Sequence, residues 1–288
     1  MLLSGAAEMD LTGPLEQLEI NGYARLGRVL SEEGLAVLRE RAEQIMLGEV
    51  TYPGMFFQLD ASTGRYEDAP LGLGWQGPSL AYRKLEKLEL DPRFRRWVEN
   101  ALFERIARSL IGGEVSLYRA ILFNKSSAGG SNIPWHQDGG DLWGLSEPPL
   151  LQIWTALDDA PLGGGCLEFL PRTHLEGLAT PLGGVVRRDL VAARDADRHA
   201  VALPAQAGEA LLIHNWVWHR SGRNRPGQRR LAFSACYMSA ATRCLRKRRA
   251  PRRFVELFGP DRDRPLEDLP RHGARVDDPR ARGVDGSG

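Results

Sequence analysis

The stretch "ALLIHNWVWHRSGRNRPGQRRLAFSACYM", residues 210–238, decides the fold. Two apolar runs, 210–219 and 229–238, flank the turn-forming "RNRPGQ" of 223–228. Upstream, "VSLYRAILF" (115–123), "LLQIWTAL" (150–157), "CLEFL" (166–170) and "AVAL" (200–203) have the same character. Short apolar runs separated by Pro, Gly, Asn and Asp are the signature of an all-β sandwich or barrel.

The half before residue 113 reads differently. Ser31 is placed to cap a helix whose apolar positions Leu35, Leu38, Ala42, Ile45 and Met46 recur at helical spacing, with Gly48 as its stop. A second helix is predicted from Asp91-Pro92 to Gly112-Gly113, burying Phe94, Trp97, Val98, Leu102, Ile106 and Leu110. Residues 51–80, with five glycines among aromatics, read as irregular. Helices followed by a run of strands predict a mainly β protein, a sandwich core with helices flanking one face. The expected organisation is one domain over 1–242, helical from 14 to 112 and β from 113 to 242. The basic, then polar and Gly-rich segment 243–288 is expected to be a solvated extension.

Composition excludes several function classes. The 288 residues are 42% hydrophobic and 26% charged, ordinary for a soluble globular chain. With 38 basic against 37 acidic residues, no global field argues for nucleic acid or membrane partners. No apolar run approaches a membrane span, and "MLLSGAAEMD" lacks the basic n-region of a secretory signal. Cys166, Cys236 and Cys244 have no metal-like spacing and read as reduced thiols, so the expected location is the cytoplasm.

Chemistry concentrates in "NIPWHQDGGDLWG", residues 132–144. On a strand, side chains two apart share a face, so His136 and Asp138 can converge on one ion. A third ligand must come from His214 or His219, which on a continuous strand face opposite ways. Eleven residues after His219 stands Arg230, at the start of an apolar run, where an inward guanidinium would need an anion such as a carboxylate. This favours His219 and leaves His214 as a strand histidine; Arg229 is the alternative inward arginine. Two histidines, one carboxylate and an anion-binding arginine point to a non-haem Fe(II) facial triad and oxygen chemistry.

"WHQDGGDLWG", "QIWTALDDAPLGGGCLEFLPRTH" and "GEALLIHNWVWHRSGRNRPGQRRLAF" resemble the phytanoyl-CoA dioxygenase family of Fe(II)- and 2-oxoglutarate-dependent oxygenases, in order and spacing, from about residue 82 to 240. The resemblance implies a double-stranded β-helix, a cupin-like jelly roll with the metal between its sheets. It implies His136, Asp138 and His219 as iron ligands, and Arg230 with Ser221 on the distal carboxylate of 2-oxoglutarate. Trp154, Ile121, Lys84 and Asn124 match further positions lining the cosubstrate. The departure from the family pattern at "LPRTH" leaves His174 a structural role. The implied reaction uses O2, releases succinate and CO2, and hydroxylates a small molecule: an acyl-CoA, an amino-acid-like solute or a natural-product intermediate. Asp138 argues against halogenation, because related halogenases lack the carboxylate. Trp143, Gln152, Arg119, Tyr82 and Trp75 are candidate substrate-lining residues, near the loops 51–80, 140–149 and 175–199. The rival readings are a cupin-like metal-dependent isomerase or hydrolase and a non-catalytic binding jelly roll. Monomer and homodimer are both compatible with the sequence.

Overall fold

A computed structural model describes residues 9–246 and 252–259. Two helices, α1 (Thr12–Asn21) and α2 (Glu32–Leu47), flank β1 (Tyr23–Arg28); β2 (Phe56–Leu59) and β3 (Tyr82–Glu86) follow, then α3 (Pro92–Val98) and α4 (Ala101–Ile111). The core strands are β4 (Val115–Lys125), β5 (Ile133–Gln137), β6 (Leu151–Ala156) and β7 (Leu167–Leu170). After the short β8 (Gly184–Val185) come β9 (Val201–Leu203), β10 (Glu209–His214), β11 (Trp218–Ser221) and β12 (Arg230–Ser239). A last strand, β13, spans Val255–Phe258.

The strands form two sheets. The larger runs β1-β10-β6-β12-β4-β3-β2, with β13 also on β4; the smaller runs β8-β5-β11-β7-β9. From β4 onward, β4, β6, β10 and β12 of the large sheet face β5, β7, β9 and β11 of the small one, with β8 as a fifth strand at the small sheet's edge. This is the double-stranded β-helix. β1 extends one edge of the large sheet, and β2 and β3 extend the other.

The middle strands of the large sheet are apolar on both faces because both are covered. Leu231, Phe233, Ala235 and Tyr237 of β12 pack with Ile153 of β6 and Leu212 of β10 against Leu35, Leu38, Phe94, Trp97 and Phe103 of the helices. The alternate residues Ala232, Trp154, Leu211 and Ile213 face the small sheet, beside Phe169 and Val217. The helices are therefore a rigid backing, and the interior between the sheets is left for chemistry.

The α2 expectation holds. Ser31 Oγ accepts from Gly34 N at 3.0 Å, the five apolar positions are buried, and Gly48 closes the helix at φ 80°. Three expectations fail. The second helix is two, because Asn100 accepts from Phe103 N and donates to Trp97 O, ending α3 and capping α4; Leu110 is 44% exposed, not buried. Residues 210–219 are not one strand: the chain leaves the large sheet at His214, turns through Val217 N to His214 O, and enters the small sheet at Trp218. The region 14–112 also supplies three strands, so it is not simply helical.

The extension is corrected in part as well. Residues 255–258 pair with β4 through Val255–Leu117 and Glu256–Ser116, and Leu257 and Phe258 are buried. The Phe258 ring lies 6.2 Å from Tyr237 in the same core. The rest of the expectation for 243–288 falls mostly outside the described residues. Phe258→Ala should therefore destabilise the fold by about 3–5 kcal/mol in urea unfolding. A change below about 0.5 kcal/mol, the range of an ordinary surface substitution, would mean this strand is not part of the core.

Candidate active site

His136 on β5 and His219 on β11 are direct cross-strand partners, with ring centroids 4.0 Å apart. Asp138 follows at the strand exit, where its N–H donates to Asn215 O at 2.8 Å. Asn215 belongs to the turn that separates β10 from β11, so one turn positions both Asp138 and His219. Gly140 completes the exit: at φ 78°, a Cβ there would stand 2.5 Å from the Leu182 backbone, which excludes any side chain. One ligand atom each from His136, Asp138 and His219 lies within 4.8 Å of the others, the one such group among the described residues.

Both rings are oriented by a backbone carbonyl two residues earlier. His136 Nδ1 meets Pro134 O at 2.9 Å, and His219 Nδ1 meets Val217 O at 3.0 Å. A carbonyl can only accept, so each Nδ1 carries the hydrogen and each Nε2 lone pair is free. Burial, then the neighbouring His136, push His219 down to about 4, so its imidazole is neutral at pH 7. Burial alone would raise Asp138, but Arg119, the two histidines and Gln152 outweigh it and hold the carboxyl at about 2. Two imidazoles and one carboxylate suit a ferrous ion with open coordination positions.

Two expected substrate-lining residues turn out to hold Asp138. Arg119 of β4 donates to Oδ1 at 2.9 Å, while Gln152 of β6 donates to Oδ2 and accepts from Ser234 Oγ of β12 at 2.9 Å. Strand parity explains this, since Arg119, Gln152 and Ser234 all belong to inward-facing rows. Trp143 does lie beside the site, stacked on Tyr118 at 4.4 Å with the Arg119 guanidinium 4.4 Å above its ring. Tyr82 and Trp75 do not. Tyr82 packs on Phe57 in the helix-backed core and donates to Gly77 O, and Trp75 covers the end of α2, its indole N–H on Met46 O.

The alternative between the two arginines is decided by parity. Arg229 precedes β12 and pairs outward with Asp158 and with Glu43 of α2. Arg230 points into the interior, 2% exposed, with its guanidinium 5.8 Å from the Trp154 ring and no hydrogen bond or ion pair. Burial pushes it down to about 10. Ser221, two residues beyond His219, is likewise buried with an unpartnered hydroxyl. A buried guanidinium and hydroxyl without acceptors fit the carboxylate of a diacid, since an unmet buried charge is otherwise costly.

Of the remaining expected positions, Ile121 is buried on the inner row between Arg119 and Phe123, opposite Ser234. Lys84 shares that side of the sheet, ion-paired to Glu86 and 5.8 Å from the Phe56 ring. Asn124 donates to Leu80 O and Tyr82 O and borders a small cavity that Arg230 also lines. Lys125 of that cavity was missed in the sequence; its signal was a lysine ending the apolar run of β4. His174 is structural, with Nε2 on Glu19 O and its ring 4.8 Å from His214, which lies in the other sheet from His219.

The chain is 31% identical over 160 residues to "Phytanoyl-CoA dioxygenase domain-containing protein 1" of Bos taurus, covering 53% of this chain and 55% of the relative. It is 25% identical over 232 residues to "Phytanoyl-CoA dioxygenase, peroxisomal" of Rattus norvegicus, covering 77% of this chain and 66% of the relative. The chain spans about half the length of the first of these and about two thirds of the second. Among solved structures, the epimerase SnoN in complex with Fe3+, alpha ketoglutarate and nogalamycin RO superposes with a TM-score of 0.65 at 20% identity, covering 88% of this chain and 100% of that one. That likeness shows the fold. The family model for phytanoyl-CoA dioxygenase (PhyH) matches residues 18–232, three quarters of the sequence, and the chain belongs to the phytanoyl-CoA dioxygenase family.

Proposed function

We propose that the protein is a non-haem Fe(II)- and 2-oxoglutarate-dependent dioxygenase that hydroxylates a small molecule and releases succinate and CO2. The observation that carries this reading is the pairing of an inward His-Asp-His group with a buried Arg230 that has no anion of its own. A cupin-like hydrolase would need the first and not the second. His136, Asp138 and His219 would hold the iron; Arg230 and Ser221 would hold the distal carboxylate, with Trp154 against the cosubstrate. Iron and 2-oxoglutarate, when bound, supply the oxidising chemistry: O2 is reduced as the keto acid is decarboxylated, and a substrate C–H becomes C–OH.

The chain's own residues do the positioning. The Nδ1–H bonds to Pro134 O and Val217 O prevent either imidazole from rotating its lone pair away. Arg119 and Gln152 each occupy one oxygen of Asp138, which keeps the carboxylate ionised and fixes its plane. The aromatic wall of Trp143 and Tyr118 stands beside Arg119 and would shield one side of the target from water. An acyl-CoA, an amino-acid-like solute and a natural-product intermediate are the substrate classes in view. A reducing, cytoplasmic setting belongs to the same reading, since Cys166, Cys236 and Cys244 are all free. No helix among the described residues is long and apolar enough to cross a membrane.

Two experiments test this. Anaerobic addition of 2-oxoglutarate to the Fe(II)-loaded protein should give a visible charge-transfer band, lost in Arg230→Gln and His136→Ala; a band undiminished in His136→Ala would remove the metal assignment. Gln152→Leu should leave the fold intact but loosen Asp138, lowering iron affinity about 10-fold to 100-fold in a competition titration with a chelator. Unchanged affinity would mean that Gln152 does not orient the carboxylate.

A further inference from the structure

The chain after β12 returns to the aromatic wall of the site. Residues 243–246 and 252–258 lie beyond the stretch 18–232 that the family model matches, so family membership assigns them no role. The first part clamps the loop that carries Trp143. Leu245 N donates to Gly144 O at 2.8 Å, Ser146 N to Arg243 O at 2.9 Å, and Arg243 N to Ser146 Oγ at 2.9 Å. Arg246 donates through Nη2 to Leu142 O. Its stem crosses Gly144, at φ 60°, where a Cβ would stand 2.7 Å from Arg246 Cγ.

The second part holds Tyr118. Arg119 of β4 pairs with Cys236 and Leu117 with Tyr237, so Tyr118 is the extra residue of a bulge. The bulge turns both Tyr118 and Arg119 toward the interior, one to the Cys236 cluster and the other to Asp138. Just before β13, Arg252 donates through Nη2 to Tyr118 O, its guanidinium 5.0 Å from the Tyr118 ring and 4.9 Å from the Phe254 ring. Phe254 lies 6.0 Å from Tyr118 and packs on the cluster of Tyr118, Cys236 and Met238, as Trp143 and Leu145 do. A path of contacts thus runs from Arg252 to Tyr118, on to Trp143, then to Arg119 and Asp138. Bonds at Leu142, Gly144 and Ser146, with stacking on a pinned tyrosine, order the Trp143 indole before any substrate arrives.

We propose that Arg246, Arg252 and Phe254 are positioning residues for substrate binding: they hold Trp143 and Tyr118 as one rigid wall and so set the shape a substrate must fit. This rests on the oxygenase reading above, in which that wall faces the target molecule. The metal group stands on β5 and β11 and Arg230 on β12, so the wall can be loosened while they stay in place.

The test is fluorine NMR of protein carrying fluorinated tryptophan, with the Trp143 line identified by its loss in Trp143→Phe. The full-length double variant Arg252→Ala, Phe254→Ala should move and broaden that line. It should leave the charge-transfer band of the Fe(II)- and 2-oxoglutarate-loaded protein unchanged. Arg252→Lys keeps a cation over both rings and should keep the wild-type line. An unmoved Trp143 line in the double variant overturns the proposal. So does a line that moves together with loss of the band, because the segment would then support the metal centre and not the wall. For any compound that accelerates succinate release by the wild type, the double variant should raise KM about 10-fold with kcat nearly unchanged; equal KM values overturn the proposal. Should the double variant fail to fold, Arg246→Ala, which frees the loop at Leu142, decides by the same line. A wild type without the band removes the oxygenase reading instead, and the NMR line is read without metal.

Discussion

One register pair organises the site: His136 and His219 stand opposite each other on β5 and β11. Directly opposed residues in an antiparallel pair have Cα atoms roughly 4.5–5.5 Å apart, so both imidazoles reach one point without either leaving its strand. The turn 214–217 is what makes the register possible. It ends β10 in the large sheet, starts β11 in the small one, and lends the Asn215 carbonyl to Asp138 N. Asn215 is fully buried and donates to Pro149 O and Cys236 Sγ, so the turn is bonded to both layers of the sandwich.

The second element is strand alternation used for two purposes at once. In β12, Leu231, Phe233 and Tyr237 fix the sheet against the helices, while Arg230, Ala232, Ser234 and Cys236 form the row beneath. In β6, Ile153 packs against the helices while Gln152 and Trp154 face inward. The functional groups are thus anchored by core packing directly behind them. A shift of one residue in β12 would put Arg230 among the helices and Leu231 in the site, so register carries both stability and chemistry.

Much of this was legible in the sequence, and the limits have physical causes. Ser31, the α2 stripe and Gly48 are local signals, and they hold. The pair His136 and Asp138 is also local, and its geometry follows. The structure brings His219, not His214, to His136 and Asp138, but the premise behind that choice fails, since no single strand contains both; the deciding feature is a change of sheet, which periodicity does not encode. Asn100 was missed because an apolar stripe continues through it from Phe94 to Ile106. Tyr82, Trp75, Arg119 and Gln152 show the general difficulty. Residue type shows that a side chain is large or charged, but only the fold shows what it meets. Arg119 meets Asp138, and Tyr82 meets Phe57. The strand at 255–258 lay in a segment whose charge outweighed its short apolar run.

The charges in the interior are arranged by sign. Around Asp138, Arg119 compensates the acid, so that end is balanced before any ion binds. At the other end the buried Arg230 has no acid to pair with, and the oxygens of the nearby Asp60 are already bonded. On the proposed reading, a diacid joining the two ends would meet the metal ion at its keto-acid terminus and the Arg230 guanidinium at its distal one. Recognition of the distal group then costs little reorganisation, because its donors sit on central strands backed by packed helices. On the same reading, a monocarboxylate bound at the metal end would leave the Arg230 guanidinium buried and unmet. On the proposed reading, selectivity for a dicarboxylate would come from the desolvation of Arg230 and not from the length of the pocket alone.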